Sequence, residues 1–481
     1  MCHSQRISHS RTFHQLIFTL LFNPIVKNNG RSKTDSGNYR LIAISSLLLK
    51  LLDLLILHLF SSQLKVDTLQ FGFQPGSSTD LCTWTLKESI NYFINAGSPV
   101  YLCLLDLQKA FDHVRLDLLF LKLKHRLPGM FVRLILYTYL VQGCYVKWNG
   151  ATSKVFTISN GLRQGAVASP AFFNLYMNDL FKELRNSGIG CQIEKEYFGI
   201  LGYADDLTLI SPSRQGLQMM IDKVKSYCDN HGITISTDPV IAKTKTKVIV
   251  YNCKYEVLNC TLYGRDLPTV HKWEHLGHTL TSDESDSYDI IRARATFISD
   301  IHSLHQEMGP INPYMFIRLV SIYLTSFYGA PLWDLNSKAA HSLYSTYNYM
   351  IRDTFDLPFG THRYILRKIS NLKPLHISLE QRFKRFTENI EKSNRPEVLL
   401  LFRKQKFDCR STFGRNYRNI ILSNKNIWAH YAVPENCHWK INLISELINV
   451  KNNFLIIKNN ISEVRLTKLE SDAILQHLCC E

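Results

Sequence analysis

Two adjacent aspartates, Asp205 and Asp206, stand between apolar, β-favouring flanks in the stretch Gly199 to Ile210, Gly-Ile-Leu-Gly-Tyr-Ala-Asp-Asp-Leu-Thr-Leu-Ile. The pattern predicts a β-hairpin with both carboxylates at its tip. Two unit charges ~4 Å apart at an effective dielectric near ~20 repel by about 4 kcal/mol. Neighbouring acids between buried flanks therefore call for a divalent cation, a polar turn being the alternative reading. A third acid decides between them. Val100 to Leu105 reads as a short core strand that ends in Asp106, and an acid at the carboxyl end of such a strand is a common address for a metal ligand. A helix N-cap is the alternative reading of Asp106, and the two roles can coexist. Asp106, Asp205 and Asp206 together could bind two Mg²⁺ ions ~4 Å apart, the pair that activates a hydroxyl and stabilises a leaving oxygen in in-line phosphoryl displacement. Phe111, five residues after Asp106, would overhang the same site, and Asp112 reads as a structural partner more than a ligand.

The elements that must position these acids follow from turn and periodicity signals. Pro24 to Lys27 and Tyr39 to Ile44 read as two strands joined through turns at Asn28-Asn29-Gly30 and Asp35-Ser36-Gly37-Asn38, with Lys27 and Arg40 near each other on the hairpin. Two cations there suit a triphosphate; two solvated surface charges are the alternative. A helix follows from Ser45 to Leu59, and the spacing of its apolar residues is that of a core helix. Gln70 to Asp80 is a Gly/Pro-punctuated loop in which Ser78 or Thr79 caps a helix through Trp84, Leu86 and Ile90. Helices are expected from Asp112 to Pro128-Gly129 and from Met130 to Leu140, then a hairpin of Tyr145–Trp148 and Lys154–Ile158 around Asn149-Gly150. In Asn160 to Pro170, Gly161 and Gly165 would let the backbone approach a ligand. Arg163 and Gln164 offer donors between them, and Ser169 with Pro170 opens a helix to about Arg185. After the acidic hairpin come a helix from Leu217 to Cys228, a strand at Gly232 to Ile235, and the basic turn Lys243-Thr244-Lys245-Thr246-Lys247 leading into Val248 to Tyr251. A small hairpin at Trp273 to Gly277 closes this part, and the pattern is mainly helical from Tyr288 onward.

The chain has 481 residues, enough for two or three domains, and 45% are hydrophobic, so a packed core is expected and global disorder is not. Lys and Arg number 56 against 40 Asp and Glu, a net +16, which points to a polyanionic partner, nucleic acid first. Thr361 to Trp428 holds 16 Lys and Arg against 5 Asp and Glu, with Tyr364, Phe383, Phe386, Phe402, Phe407, Phe413 and Tyr417 interleaved. That mixture suits a surface that tracks a nucleic-acid backbone; a helical domain with a solvated basic face is the alternative. The 12 cysteines show no paired spacing, so reduced, partly buried thiols are expected and no zinc site. Leu16 to Val26 is too short to span a bilayer, and Lys50, Asp53 and His58 interrupt Leu41 to Phe60, so no membrane segment is expected. An intracellular location, nucleus or cytoplasm, follows from these two readings.

In this order the motifs resemble a reverse transcriptase of non-LTR (LINE-type) retrotransposons, most nearly those of jockey/CR1-like elements, over roughly Asn23 to Asp283. Asn38-Tyr39-Arg40-Leu41-Ile42 is similar to the family's Asn-Tyr-Arg-Pro-Ile. Gln70 to Phe73 with Gly76 to Thr79, Asp106 to Asp112, Gly161 to Pro170 and Tyr203 to Asp206 are similar to the blocks that follow, and the lysine turn and Leu276-Gly277 to the last two. The resemblance implies an α+β, right-hand polymerase with an antiparallel palm sheet: a ragged start at 1–22, fingers over 23–105, palm over 106–285, helical thumb over 286–350 and a basic helical region over 351–481. It implies an RNA-directed DNA polymerase that adds dNTPs to a primer 3′-hydroxyl on an RNA template, with two Mg²⁺ or, as a substitute, Mn²⁺. Asp106, Asp205, Asp206 and the Leu107 carbonyl would hold the metals. Phe111 would exclude a 2′-hydroxyl; Gln164 and Gly165 would meet the nucleotide, and Lys27 and Arg40 its triphosphate. Lys245 would approach the leaving pyrophosphate, with Lys243 and Lys247 competing by register. Arg163, Tyr203, Leu276 and Gly277 would contact template or primer. Leu41 replaces the family's usual Pro, and Gln74 a common basic residue. The family's N-terminal endonuclease is not expected here, which would make the chain a truncated copy; an inactive remnant that only binds nucleic acid is the alternative function. A metal-dependent nuclease would need Asp112 or Asp179 beside the acid pair.

Overall fold

The computed structural model describes residues 19–423 except 28–33, 36–37, 239, 241–243, 254–258 and 310. The expectations for the first 18 residues, for Lys243 and for the chain beyond 423 lie outside the described residues. The chain divides into two compact units, Met1–Leu276 with Arg395–Glu397, and Gly277–Asn394 with Val398–Glu481.

The first unit is built on β3 (Val100–Gln108), whose residues Val100 and Leu102 to Leu105 are all buried. So continuous an apolar run belongs to a strand covered on both faces. β3 runs antiparallel to β9 (Asp206–Ser211), to β11 (Lys247–Tyr251) and to the short β10 (Thr234–Ile235), and β9 in turn pairs with β8 (Ile200–Tyr203). The anticipated strand boundary at 105/106 therefore falls inside β3: its apolar half fixes the sheet, and its last residues carry the acid. Helix α2 (Thr79–Asn95) buries Leu81, Trp84, Leu86 and Ile90, and Ser78 Oγ caps it by accepting from the Leu81 N–H. Helices α5 (Ser169–Asn186) and α6 (Arg214–Asn230) bury Phe172, Phe173, Tyr176 and Leu180, and Leu217, Ile221 and Val224.

A second sheet joins β1 (Thr19–Val26), β2 (Tyr39–Ile44), β4 (Gly143–Trp148) and β5 (Ala151–Thr152) in the order β2-β1-β4-β5. β1 is antiparallel to β2 and parallel to β4, and Leu20, Phe22, Ala43, Leu49 and Cys144 form the core there. Helix α1 (Leu47–Leu59) differs from the core helix expected. It buries only Leu49 and Ile56, while Leu47, Leu48, Leu51, Leu54, Leu55 and Leu59 are exposed. Its apolar residues run all round, so one face meets the core and the others remain at the surface. Helix α5 also departs in detail, because Ala168 is its N-cap and Ser169 lies one residue inside. The Ala168 N–H is taken instead by the Asp53 carboxylate of α1, at 3.2 Å.

The second unit is mainly helical, as expected, with its longest helix over Ser287–Met308. Phe383, Phe386, Phe402, Phe413 and Tyr417 are buried in it, and Phe413 packs its ring against those of Phe383, Phe402 and Tyr417. These aromatics form core and offer no stacking platform; Phe407 is the exposed one of the set. Their spacing is that of buried helix faces, which sequence alone does not separate from a stacking ladder. Among the described residues no helix is long and apolar enough to cross a membrane, and Cys82, Cys103, Cys144, Cys191, Cys228 and Cys260 are buried free thiols.

Candidate active site

The register of β3 on β9 sets Asp106 directly opposite Asp206, and that of β8 on β9 sets Tyr203 opposite Asp206. Ala204 and Asp205 are thus a two-residue hairpin turn, with Ala204 at φ 58. The left-handed conformation costs a residue with a side chain free energy, and a buried amide holds it here. Gln70, 1% exposed, accepts from the Ala204 N–H at 2.9 Å and donates to the Ala204 carbonyl at 3.3 Å. The backbone beside it leaves no room: a Cβ on Gly72 would meet the Ala204 nitrogen at 2.2 Å. The sequence reading passed over Gln70; the signal is an amide side chain flanked by Leu69 and Phe71 in an otherwise apolar run.

The three carboxylates repel one another, and each is only partly exposed. Burial first, and then Asp205 and Asp106, push the Asp206 carboxyl up to about 7, against the partial relief of Lys245 and Arg40. Burial is likewise the main cause that raises Asp205, with Asp106 adding to it. Lys245 reaches the triad directly, its Nζ lying 3.4 Å from Asp106 Oδ2. Lys247 does not: it is buried, with Nζ 5.0 Å from the centre of the Trp273 ring, and it opens β11, whereas Lys245 lies in the segment before the strand. The Asp106 carbonyl accepts from the Ser236 N–H at 2.7 Å, which ties the end of β3 to the strand beside it.

In front of the triad lies an open cleft of about 1070 Å³, roomy on the usual scale of small-molecule sites. Its lining brings together Lys27, Arg40, Asp106, Leu107, Phe111, Gln164, Asp205 and Lys245. The lining holds acids, Asp106 and Asp205, and cations that come from the β1–β2 hairpin: Arg40 stands opposite Ile25 across the β1–β2 ladder, and the Lys27 N–H closes it on the Asn38 carbonyl. Phe111 stacks on the buried Phe173 of α5, ring centres 4.6 Å apart at 15°, which fixes its plane. Tyr39 and Trp148 also line the cleft and meet edge to face at 4.9 Å. The sequence reading passed over Trp148, whose place depends on the pairing of β4 with β1, far away in the chain. Asp112 also lines the cleft, and burial raises its carboxyl; Asp179 does not, being paired with Lys122 at 2.7 Å.

Other expected contacts fall elsewhere. Arg163 is 5% exposed and turned inward. It donates to the Thr138 carbonyl at 2.6 Å and to Gln142 Oε1 at 2.8 Å, and its guanidinium lies 4.1 Å from the centre of the Tyr139 ring. It ties its loop to helix α4 (Gly129–Leu140) and is not placed to meet a template. Gly165, at φ 104, does not line the cleft. A Cβ there would meet the Ala43 carbonyl at 3.0 Å, so the glycine admits strand β2 and not a nucleotide. Gly161 similarly admits the Asp112 carbonyl. Gln164 stays in the cleft lining while its carbonyl accepts from the Ala43 N–H at 2.7 Å. Tyr203, Leu276 and Gly277 are outside the lining. Leu276 and Gly277, at φ 50 and 76, form the turn after the strand Lys272–His275.

Among the described residues no three His, Cys, Asp or Glu side chains form a ready-made metal cage. The donor set nevertheless fits Mg²⁺, which is commonly held by one or two carboxylates with the remaining positions left to substrate phosphates and water. The raised Asp205 and Asp206 mark sites where a divalent cation would relieve stored repulsion.

A family model described as "Reverse transcriptase (RNA-dependent DNA polymerase)" matches residues 26–280, more than half of the chain, and the chain belongs to that family. It is 26% identical over 258 residues to a retrovirus-related Pol polyprotein from a type-2 retrotransposable element of Drosophila melanogaster, covering 51% of this chain and 24% of that protein. It is 23% identical over 334 residues to the RNA-directed DNA polymerase from mobile element jockey of the same species, covering 66% of this chain and 35% of that protein. The chain thus spans roughly a quarter to a third of the length of these curated relatives. Among solved structures, apo telomerase from Candida tropicalis truncated from its C-terminal domain is similar at a TM-score of 0.38 and 13% identity, over 55% of this chain and 54% of that one.

Proposed function

We propose that this chain is the RNA-directed DNA polymerase of a non-LTR retrotransposon, extending a DNA primer on an RNA template with dNTPs. The observation that carries the proposal is the pairing of Asp106 with Asp206, with Asp205 in the turn beside them, and a cleft that Asp106 and Asp205 line together with Lys27, Arg40 and Lys245. Asp106, Asp205 and Asp206, with the Leu107 carbonyl, would hold divalent metal, Mg²⁺ with Mn²⁺ as a substitute. Bound there, the metal would lower the pKa of the primer 3′-hydroxyl and offset charge on the leaving oxygen.

The protein's own groups do the rest. Lys27 and Arg40, which share the cleft lining with the acids, hold the triphosphate so that its α-phosphorus faces the primer end. Lys245, already 3.4 Å from Asp106, is placed to donate to the departing pyrophosphate and to shield the triad while the cleft is empty. Phe111, its plane fixed by Phe173, lies under the sugar and leaves no space for a 2′-hydroxyl. Gln164 donates to the sugar side of the nucleotide. The basic surface of the second unit supplies electrostatic affinity for template.

Primer extension on poly(rA)/oligo(dT) with dTTP and Mg²⁺, beside Asp205→Asn, tests this. Mg²⁺-dependent extension by the parent protein, lost in the variant while duplex binding is kept, supports it. Equal loss of extension and binding refutes the ligand assignment. One observation favours a second reading, a nucleic-acid-binding remnant: the exposed leucines of α1 form the kind of apolar patch that draws proteins into aggregates. A protein that binds duplex without extending it would establish that reading.

A further inference from the structure

We infer that Arg395 is a positioning residue for the catalytic turn, acting through the backbone and side chain of Gln70. The inference rests on the polymerase reading of Asp106, Asp205 and Asp206.

Asp67 to Gly72 runs beside β8. The Phe71 N–H donates to the Gly202 carbonyl at 2.7 Å, and the Gly202 N–H to the Leu69 carbonyl at 2.9 Å. This segment presents the Gln70 amide to Ala204, and no regular sheet or helix fixes its own conformation. Side chains do so instead. Arg395, a member of the first unit although more than three hundred residues further along the chain, is 7% exposed. One arm of its guanidinium donates to the Thr68 carbonyl and, at 3.2 Å, to the Gln70 carbonyl. The other donates to Ser77 Oγ at 2.7 Å, and the plane lies 4.4 Å from the centre of the Phe71 ring. A planar fork can satisfy three acceptors and stack at once; a lysine cannot.

Glu397 completes the frame. Its Oε1 accepts from Thr68 Oγ1 at 2.7 Å and from Arg185 Nη2 at 2.9 Å, while Arg185 forms two bonds to the Asp67 carboxylate at 2.8 and 3.1 Å. Asp67 Oδ1 in turn accepts from the Leu69 N–H at 2.9 Å. Two arginines and two acids thus balance in charge around one six-residue segment whose output is the Gln70–Ala204 clamp. Ala204 precedes the two catalytic aspartates, so a loosened clamp frees the dihedrals that aim them. Supporting groups of this kind typically govern metal affinity or activity by about 10- to 100-fold.

The full chain serves for the test, with Arg395→Ala, Arg395→Lys and Gln70→Met, and with Asp205→Asn as the control for the parent reading. Gln70→Met leaves the charged frame intact and removes the clamp, together with the bond that Gln70 Oε1 accepts from the Gly72 N–H at 3.0 Å, so it decides the matter if Arg395→Ala does not fold. Expected in Arg395→Ala and Gln70→Met is a fall in kcat of about tenfold or more, with KM for dTTP and duplex affinity within about twofold. The Mg²⁺ concentration for half-maximal extension rises, and calorimetry shows weaker Mg²⁺ binding. Hydrogen exchange of the Tyr203–Asp206 amides speeds up in both. Arg395→Lys, which keeps the charge but not the fork, is expected to fold yet show the same shift. Folded Gln70→Met with parental Mg²⁺ dependence and amide protection would overturn the inference while leaving an inactive Asp205→Asn, and so the polymerase reading, intact. An Asp205→Asn protein that still extends primer would instead remove the parent reading.

Discussion

Replacing Asp206 with Asn should make the metal-free protein more stable at pH 8 while removing its polymerase activity. Asp206 is pushed from the ordinary 3.8 up to about 7, by burial first and by its two acidic neighbours next. A carboxyl raised in the folded state stabilises the fold below its unfolded pKa. It surrenders that stability as pH climbs through the folded value, because the unfolded chain releases the proton more readily. At about 1.4 kcal/mol per tenfold change in proton activity, the interval from 3.8 to about 7 corresponds to about 4 kcal/mol at most. Coupling to Asp205 and partial solvation reduce this to roughly 2 kcal/mol. Urea denaturation in EDTA at pH 5 and pH 8 reads it. The parent protein should lose about 1 kcal/mol between those values, the rest of the loss falling below pH 5, and Asp206→Asn should lose less and lie above the parent at pH 8. Millimolar Mg²⁺ should restore the parent and leave the variant almost unmoved, since the cation binds the folded state. A variant no more stable than the parent at pH 8 without metal would refute the argument that the triad stores repulsion.

Phe111→Val should admit ribonucleotides, raising rGTP relative to dGTP incorporation; unchanged sugar selectivity would remove its role as a gate. Arg163→Leu should cost about 3 kcal/mol of stability, because buried acceptors at Thr138 and Gln142 lose their donor. It should leave the template affinity of the folded fraction unchanged, and a selective loss of template affinity would support a template contact for Arg163 instead. Ser78→Ala should cost about 1 kcal/mol by removing the cap on α2, measurable as a lower urea midpoint with an unaltered slope.

What could be read in the sequence was what local chemistry enforces. The run Val100 to Leu105 has one reasonable fate, a strand buried on both faces, and a two-residue turn between apolar flanks leaves Asp205 and Asp206 few places to be. Lys245 was separable from Lys247 only once β11 was seen to start at Lys247 and bury it. Arg163 shows the opposite case. An exposed guanidinium and one folded back on a tyrosine look identical in a Gly-Leu-Arg-Gln-Gly string, and long-range packing against Thr138 and Gln142 decides. The aromatics from Phe383 to Tyr417 misled for a related reason: the spacing that would stack bases also fills a helical core. Arg395 was silent because it acts on backbone atoms contributed by a distant segment, and the Gln70 amide, though marked by its apolar neighbours, does not reveal Ala204 as its partner for the same reason.

The return of Arg395–Glu397 to the first unit bears on how the protein is made. The Thr68–Glu397 bond spans 329 residues, so during synthesis the catalytic sheet, its helices and the acid triad all leave the ribosome long before the clamp on their turn can close. Contacts of such separation form late and slowly. A nascent chain cut at residue 394 would thus carry every polymerase motif and still lack the two side chains that seat Gln70. Emergence of Arg395–Glu397, more than completion of the motif-bearing region, is the event after which this active site can settle.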